Sequence, residues 1–153
     1  MTDYHAFEGR VEPVEWGTST YTILRLPAEV EHALVAEGAK RVEGEINDHP
    51  VNLALTRAPV VDGVFLWAGK TLLDAAGIEP GEWIDVRLRK TDPDVVDVPG
   101  DVTAALHSAG ATAAFEALSA GKKRGALHQI ETAKRAETRA KRIAAMIAGL
   151  ADA

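Results

Sequence analysis

VFLWAGKTLLDAAGIEPGEWIDVRL, residues 64–88, reads as a strand, a helix, a turn and a second strand within 25 residues. Val64 to Trp67 is an apolar run that follows the turn signal Asp62-Gly63, and this places Trp67 in the core. Leu72, Leu73, Ala75 and Ala76 then recur at helical spacing, and Gly77 ends that helix. Pro80-Gly81 makes a turn, after which Ile84, Val86 and Leu88 alternate with Asp85 and Arg87 as in a strand buried on one face.

The same grammar occurs earlier. A shift of 42 residues sets Ile23 and Leu24 against Phe65 and Leu66, Val30 against Leu72, Ala33 against Ala75, and Val42, Gly44 and Ile46 against Ile84, Val86 and Leu88. Two similar β-α-β units of this kind can close a small barrel within one chain, so a monomer is expected. Around them, Tyr4 to Val14 reads as a first strand with Phe7, Val11 and Ala6 as its buried side, weakened at its end by Pro13. Thr18 to Leu26 is a second strand, Ala28 to Ala36 a short helix closed by Gly38, and Arg41 to Ile46 with Val51 to Thr56 a hairpin around the turn cluster Asn47-Asp48-His49-Pro50.

After Arg89 the composition changes. Residues 92–100, DPDVVDVPG, read as a linker, and from Asp101, a candidate N-cap, the chain is alanine-rich with no strand signal. The expected elements are helices over 102–108 and 111–118 and one longer helical stretch to Leu150, in which Ile130, Ala133, Ala136, Ala140, Ile143, Ile147 and Leu150 form one apolar face. The fold class is therefore α+β, with a barrel domain over 1–91, a linker over 92–100 and a helical subdomain over 101–153.

Composition bounds the function. The 153 residues contain no cysteine, which excludes disulfides and thiolate chemistry, and no run approaches the roughly 18 apolar residues of a spanning helix. With neither a basic nor an apolar leader in MTDYHAFEGR, the expected location is the cytoplasm, with no membrane insertion. The net charge of −6 divides unevenly, since residues 1–100 hold 9 basic and 18 acidic side chains and residues 101–153 hold 8 and 5. An acidic first part makes nucleic acid an unfavourable partner.

No catalytic constellation stands out, and no cofactor or metal is expected. Gly69-Lys70-Thr71 opens a helix after a strand, but a phosphate-binding loop requires a glycine where Val64 stands. The five histidines are scattered without metal-ligand spacing. Trp16, Trp67 and Trp83 are candidates for a pocket lining, and Trp83, sharing a strand face with Asp85 and Arg87, is named with His49 as the candidate pocket pair. In the tail, Lys134, Arg139 and Arg142 are the candidate partner-binding residues, off the apolar face and without interleaved aromatics for base stacking.

The tail motif QIETAKRAETRAKRIAAMI, through Ile130, Ala133, Lys134, Glu137, Thr138, Arg139, Arg142 and Ile143, resembles the bacterial YdeI/OmpD-associated (bacteriocin-protection) domain. The segments NDHPVNLAL, residues 62–88 and VPGDVTAAL resemble the domain of unknown function that commonly precedes it. This resemblance implies a double-split β-barrel, distantly similar to the swapped-hairpin barrels of AbrB-type DNA-binding proteins, followed by a helical domain. It implies no known reaction. The chain departs from the family pattern at Asp48, where a glycine is usual, and at Ala126 and Gln129, where Tyr and Trp are usual. The resulting expectation is a non-enzymatic binding protein with an unknown protein partner, linked to bacteriocin or antimicrobial-peptide tolerance. An AbrB-like DNA-binding regulator and an enzyme with an unrecognised pocket are the alternatives.

Overall fold

The structure, a computed structural model, describes residues 3–151. The chain divides into two units, Met1–Pro93 and Asp94–Ala153. In the first, β1 (His5–Trp16), β2 (Ser19–Arg25), β3 (Arg41–Ile46), β4 (His49–Ala54), β5 (Thr56–Ala58), β6 (Val61–Trp67) and β7 (Trp83–Thr91) form a seven-stranded antiparallel sheet. Helix α1 (Ala28–Ala36) joins β2 to β3, and α2 (Lys70–Ala76) joins β6 to β7. The strand order is β4-β3-β7-β1-β2-β6-β5.

The 42-residue repeat governs this order. Adding 42 to Ser19–Arg25 gives 61–67, the limits of β6, and the same shift carries the start of α1 onto that of α2 and the start of β3 onto that of β7. Equivalent strands of the two halves pair with each other, β2 with β6 and β3 with β7, so each half supplies the other's hydrogen-bonding edge. Strand β1 bridges them: residues 5–10 pair with β7 and residues 11–16 with β2. Pro13 does not shorten it; β1 runs on to Trp16, and Ala6 is exposed where burial is predicted.

Two turns differ from their sequence reading. Between β3 and β4 only Asn47 and Asp48 turn, at φ +51° and +64°, the two-residue form whose twist suits a hairpin. His49 and Pro50 already belong to β4, an edge strand where a missing N–H is tolerated. Asp62-Gly63 is not a turn at all. The chain reverses at Pro59-Val60, and Gly63 sits inside β6 at φ +81° where the register against β5 shifts, a β-bulge. There the Glu31 carboxylate of α1 accepts from the Val64 N–H at 2.7 Å, tying helix to bulge.

The inner face of the sheet and the two helices enclose a core that includes Leu24, Leu34, Val42, Ile46, Leu66, Val86 and Leu88. Each such side chain contributes about 1.5–3 kcal/mol of burial free energy. A smaller cluster, Ile23, Val61 and Phe65 with Val14 and Ala58, lies on the opposite face of β1, β2 and β6.

The second unit is helical: α3 (Gly100–Ser108), α4 (Thr112–Glu116), α5 (Ala120–Glu131) and α6 (Ala136–Ala151). Val102, Leu106, Phe115, Leu127, Ile130 and Ile143 form its core, and Val96 and Val98 from the proline-flanked run pack against it. Asp101 is not the N-cap of α3; Pro99 holds that position and Asp101 lies in the first turn, where the helix dipole favours an acid. The long helix expected up to Leu150 is broken at residues 132–135. Arg142 of α6 donates to the Gln129 carbonyl at 2.7 Å and to Thr132 Oγ1 at 3.2 Å, so a side chain serves a carbonyl that a continuous helix would bond itself.

Candidate functional site

The outer face of β1, β2 and β6 gathers the chain's most concentrated aromatic surface. Antiparallel register puts Ile23 opposite Glu12 on one side and Trp67 on the other, and puts Tyr21 opposite Val14. Directly opposed residues share a face. Trp16, Tyr21 and Trp67 therefore stand over the small cluster, and they remain 41%, 42% and 36% exposed. The Trp16 and Trp67 rings are nearly parallel at 6.5 Å between centroids, and Tyr21 is tilted 5.3 Å from Trp67. Phe65, fully buried, packs edge-on beneath Trp67 at 4.9 Å and fixes that ring from below. Arg25 pairs with Glu12 on the same face.

The outer face of β7, β1 and β3 has a different character. Arg10 lies over Trp83, Arg87 and Arg89 lie over Tyr4, and Arg89 also pairs with Glu43 at 3.1 Å. Cations and rings satisfy one another there, whereas no cation lies over Trp16, Tyr21 or Trp67 among the described residues. Charge adds a second distinction: residues 1–93 hold 9 basic and 16 acidic side chains, 9 − 16 = −7, against 8 − 7 = +1 for residues 94–153.

The family described as Domain of unknown function (DUF1905) matches residues 7–88, more than half of the chain. The chain belongs to that family. Residues 95–153 match the family described as Bacteriocin-protection, YdeI or OmpD-Associated (OmdA), so the DUF1905 unit is followed by an OmdA unit. No curated protein and no solved structure matches the chain.

Within the OmdA unit the three basic residues singled out by sequence separate into two kinds. Arg139 reaches Asp101 with two bonds, at 2.6 and 2.9 Å, and Glu131 at 3.0 Å, fastening α6 to α3 and α5. The Asp101 carboxyl is held below the usual carboxylate range, chiefly by its hydrogen bonds from Arg139, and the Arg139 guanidinium is raised by the same bonds and those to Glu131. Arg142 serves the end of α5. Lys134 is exposed in the break before α6, with Arg135 beside it.

In the DUF1905 unit, Trp83 and His49 are not brought together. Trp83 is exposed on the outer face of β7, while His49 opposes the buried Ile46 at the start of β4. Neither lines the cavities beside α1. Trp67, expected in the core, is on the surface instead, because Val64 and Leu66 fill the inner face and Phe65 the outer cluster, leaving the last residue of the strand at the rim. Sequence reasoning missed Tyr21. The alternation Ser19, Tyr21, Ile23 across a tight turn from Val14 and Trp16 was the signal that would have put it beside Trp16.

Proposed function

We propose that this protein is a non-enzymatic binding protein linked to bacteriocin tolerance, and that the aromatic face of its DUF1905 unit takes up a cationic amphipathic peptide. One observation carries the reading: three exposed rings without a cation sit together on a unit with a charge of −7. Rings of this kind offer large apolar area and a negative π-face, and a cation over such a face gains about 0.5–2 kcal/mol. The surrounding negative field raises the encounter rate of cationic partners. The bacteriocin-protection description of the OmdA unit on the same chain supports that class of partner.

The sheet, in this reading, curls as a double-split barrel completed within one chain. Its support is that equivalent strands of the two halves pair internally, a role that strands of two chains fill in swapped barrels. Sedimentation at low concentration should find a monomer; an obligate strand-exchanged dimer would overturn the closure.

Titration calorimetry with a lysine-rich amphipathic peptide tests the binding. Affinity should fall at least tenfold in Trp67→Ala, fall with rising salt, and vanish for the same peptide with glutamate in place of lysine. Equal affinity for the two peptides would refute the reading. The AbrB-like alternative rests on the exposed Lys134, Arg135 and Lys141. It requires a DNA gel shift that weakens steeply with salt and is lost when those three are neutralised.

A further inference from the structure

The cations of Met1–Pro93 are almost all engaged. Arg10, Arg87 and Arg89 lie over rings, Arg25 pairs with Glu12, Arg41 donates to Asn52, Lys70 donates to Asp74, and Lys90 donates to the Glu37 carbonyl. Of the nine in this unit, Lys40 and Arg57 are the two whose side chains have no hydrogen-bond, ion-pair or ring partner among the described residues. Both line the same cavity, of about 500 Å³, beside the C-terminal end of α1. Its remaining lining is almost wholly apolar, from Val35, Ala39, Leu55 and Val64, while the Glu31 carboxylate, which accepts from the Val64 N–H, lines the adjoining cavity that shares Val35 and Arg57. In a unit with nearly twice as many acids as bases, this concentration of positive charge is local.

The internal repeat sharpens the contrast. The 42-residue shift carries Lys40 onto Glu82 and Arg57 onto Glu15. For the second pair the strand register agrees, since Ala58 opposes Val61 as Trp16 opposes Ser19. Equivalent positions of the two halves thus bear opposite charges. The backbone differs as well: β1 is continuous, whereas its counterpart is interrupted at Leu55 between β4 and β5, and the interruption opens beside α1. Val35, 49% exposed on α1, provides an apolar wall.

We infer that this cavity binds a small organic anion with an apolar body, an aliphatic carboxylate, whose head meets Lys40 and Arg57 and whose tail lies on Val35, Ala39, Leu55 and Val64. The volume is in the range of small-molecule sites, and the mixture of an apolar floor with a few polar groups is what such sites use for affinity and orientation. Lys40 and Arg57 are both exposed at the rim of this apolar floor, where a ligand with a negative head can form charge-assisted hydrogen bonds with them while its apolar body covers the floor. The site is separate from the aromatic face, so either can fail without the other.

Sodium decanoate, 1-decanol and inorganic phosphate are the probes, followed by methyl NMR on the full chain. Decanoate should shift the methyl signals of Val35, Leu55 and Val64 and bind at least tenfold more tightly than decanol, and phosphate should not displace it. Lys40→Gln with Arg57→Gln should weaken decanoate at least tenfold, while Lys70→Gln, on α2, should leave it unchanged. Equal binding of decanoate and decanol, an unaffected double variant, displacement by phosphate alone, or no shift of those methyls at millimolar decanoate would each overturn the assignment.

Discussion

Single residues carry the repeat's most exacting demands. At Gly44, where β3 meets β7, a Cβ would stand 1.8 Å from the Arg87 carbonyl oxygen, an obstacle of backbone that cannot rotate away. Gly44→Ala should therefore cost at least the upper part of the about 1–3 kcal/mol typical of overpacking, and a denaturant midpoint equal to wild type would mean the two halves do not pair there. Asp48 presents the opposite case. It occupies φ +64° in the two-residue turn, in the left-handed region that favours glycine. Relief of the left-handed strain, about 1–2 kcal/mol, exceeds the added chain entropy of glycine, about 0.5–1 kcal/mol. Asp48→Gly should thus stabilise the protein by roughly 0.5–1 kcal/mol; a lower melting temperature would count against this account of the turn. Asn47 differs from its neighbour, because its side chain donates to the Ala76 carbonyl at 2.7 Å and holds the turn to the end of α2.

Among the elements, the strand-helix-strand units and their 42-residue spacing were legible in the sequence, because each half must present period-two and helical patterns in the same order to bury one shared core. Local stops were less so. Residues 132–135 contain neither glycine nor proline, and the Arg142 contacts that accompany the break are announced by no local pattern. Arg139 and Arg142 were legible as off the apolar face but not as fasteners, since Asp101 lies 38 positions from Arg139. Trp67 was misread because a run of apolar residues says nothing about which face each one covers. In the OmdA unit, Ile143, nearly fully buried against Ile130 and its neighbours, should cost about 2–5 kcal/mol when truncated to Ala. Lys134→Gln should leave the far-ultraviolet melt unchanged, and Arg139→Gln should lower it. Because the Asp101 carboxyl is depressed in the folded state, its contribution is present above the ordinary aspartate range and is lost as pH falls through its folded value. Acid titration of helicity should accordingly be less steep in Asp101→Asn, and that variant should already be less stable than wild type at pH 7.

For the whole molecule, charge divides between the units: a DUF1905 unit at −7 carries the exposed rings, and an OmdA unit near neutrality carries its basic residues partly as internal fasteners. The central claim is that a cationic peptide is captured on the aromatic face and not on the tail. Amide and indole NMR shifts of the full chain during titration with the lysine-rich amphipathic peptide test it most directly. The account predicts shifts confined to the indoles of Trp16 and Trp67 and the amides around Tyr21, Ile23 and Phe65. Shifts centred on Lys134, Arg135 and Lys141, or none at saturating peptide, would contradict it.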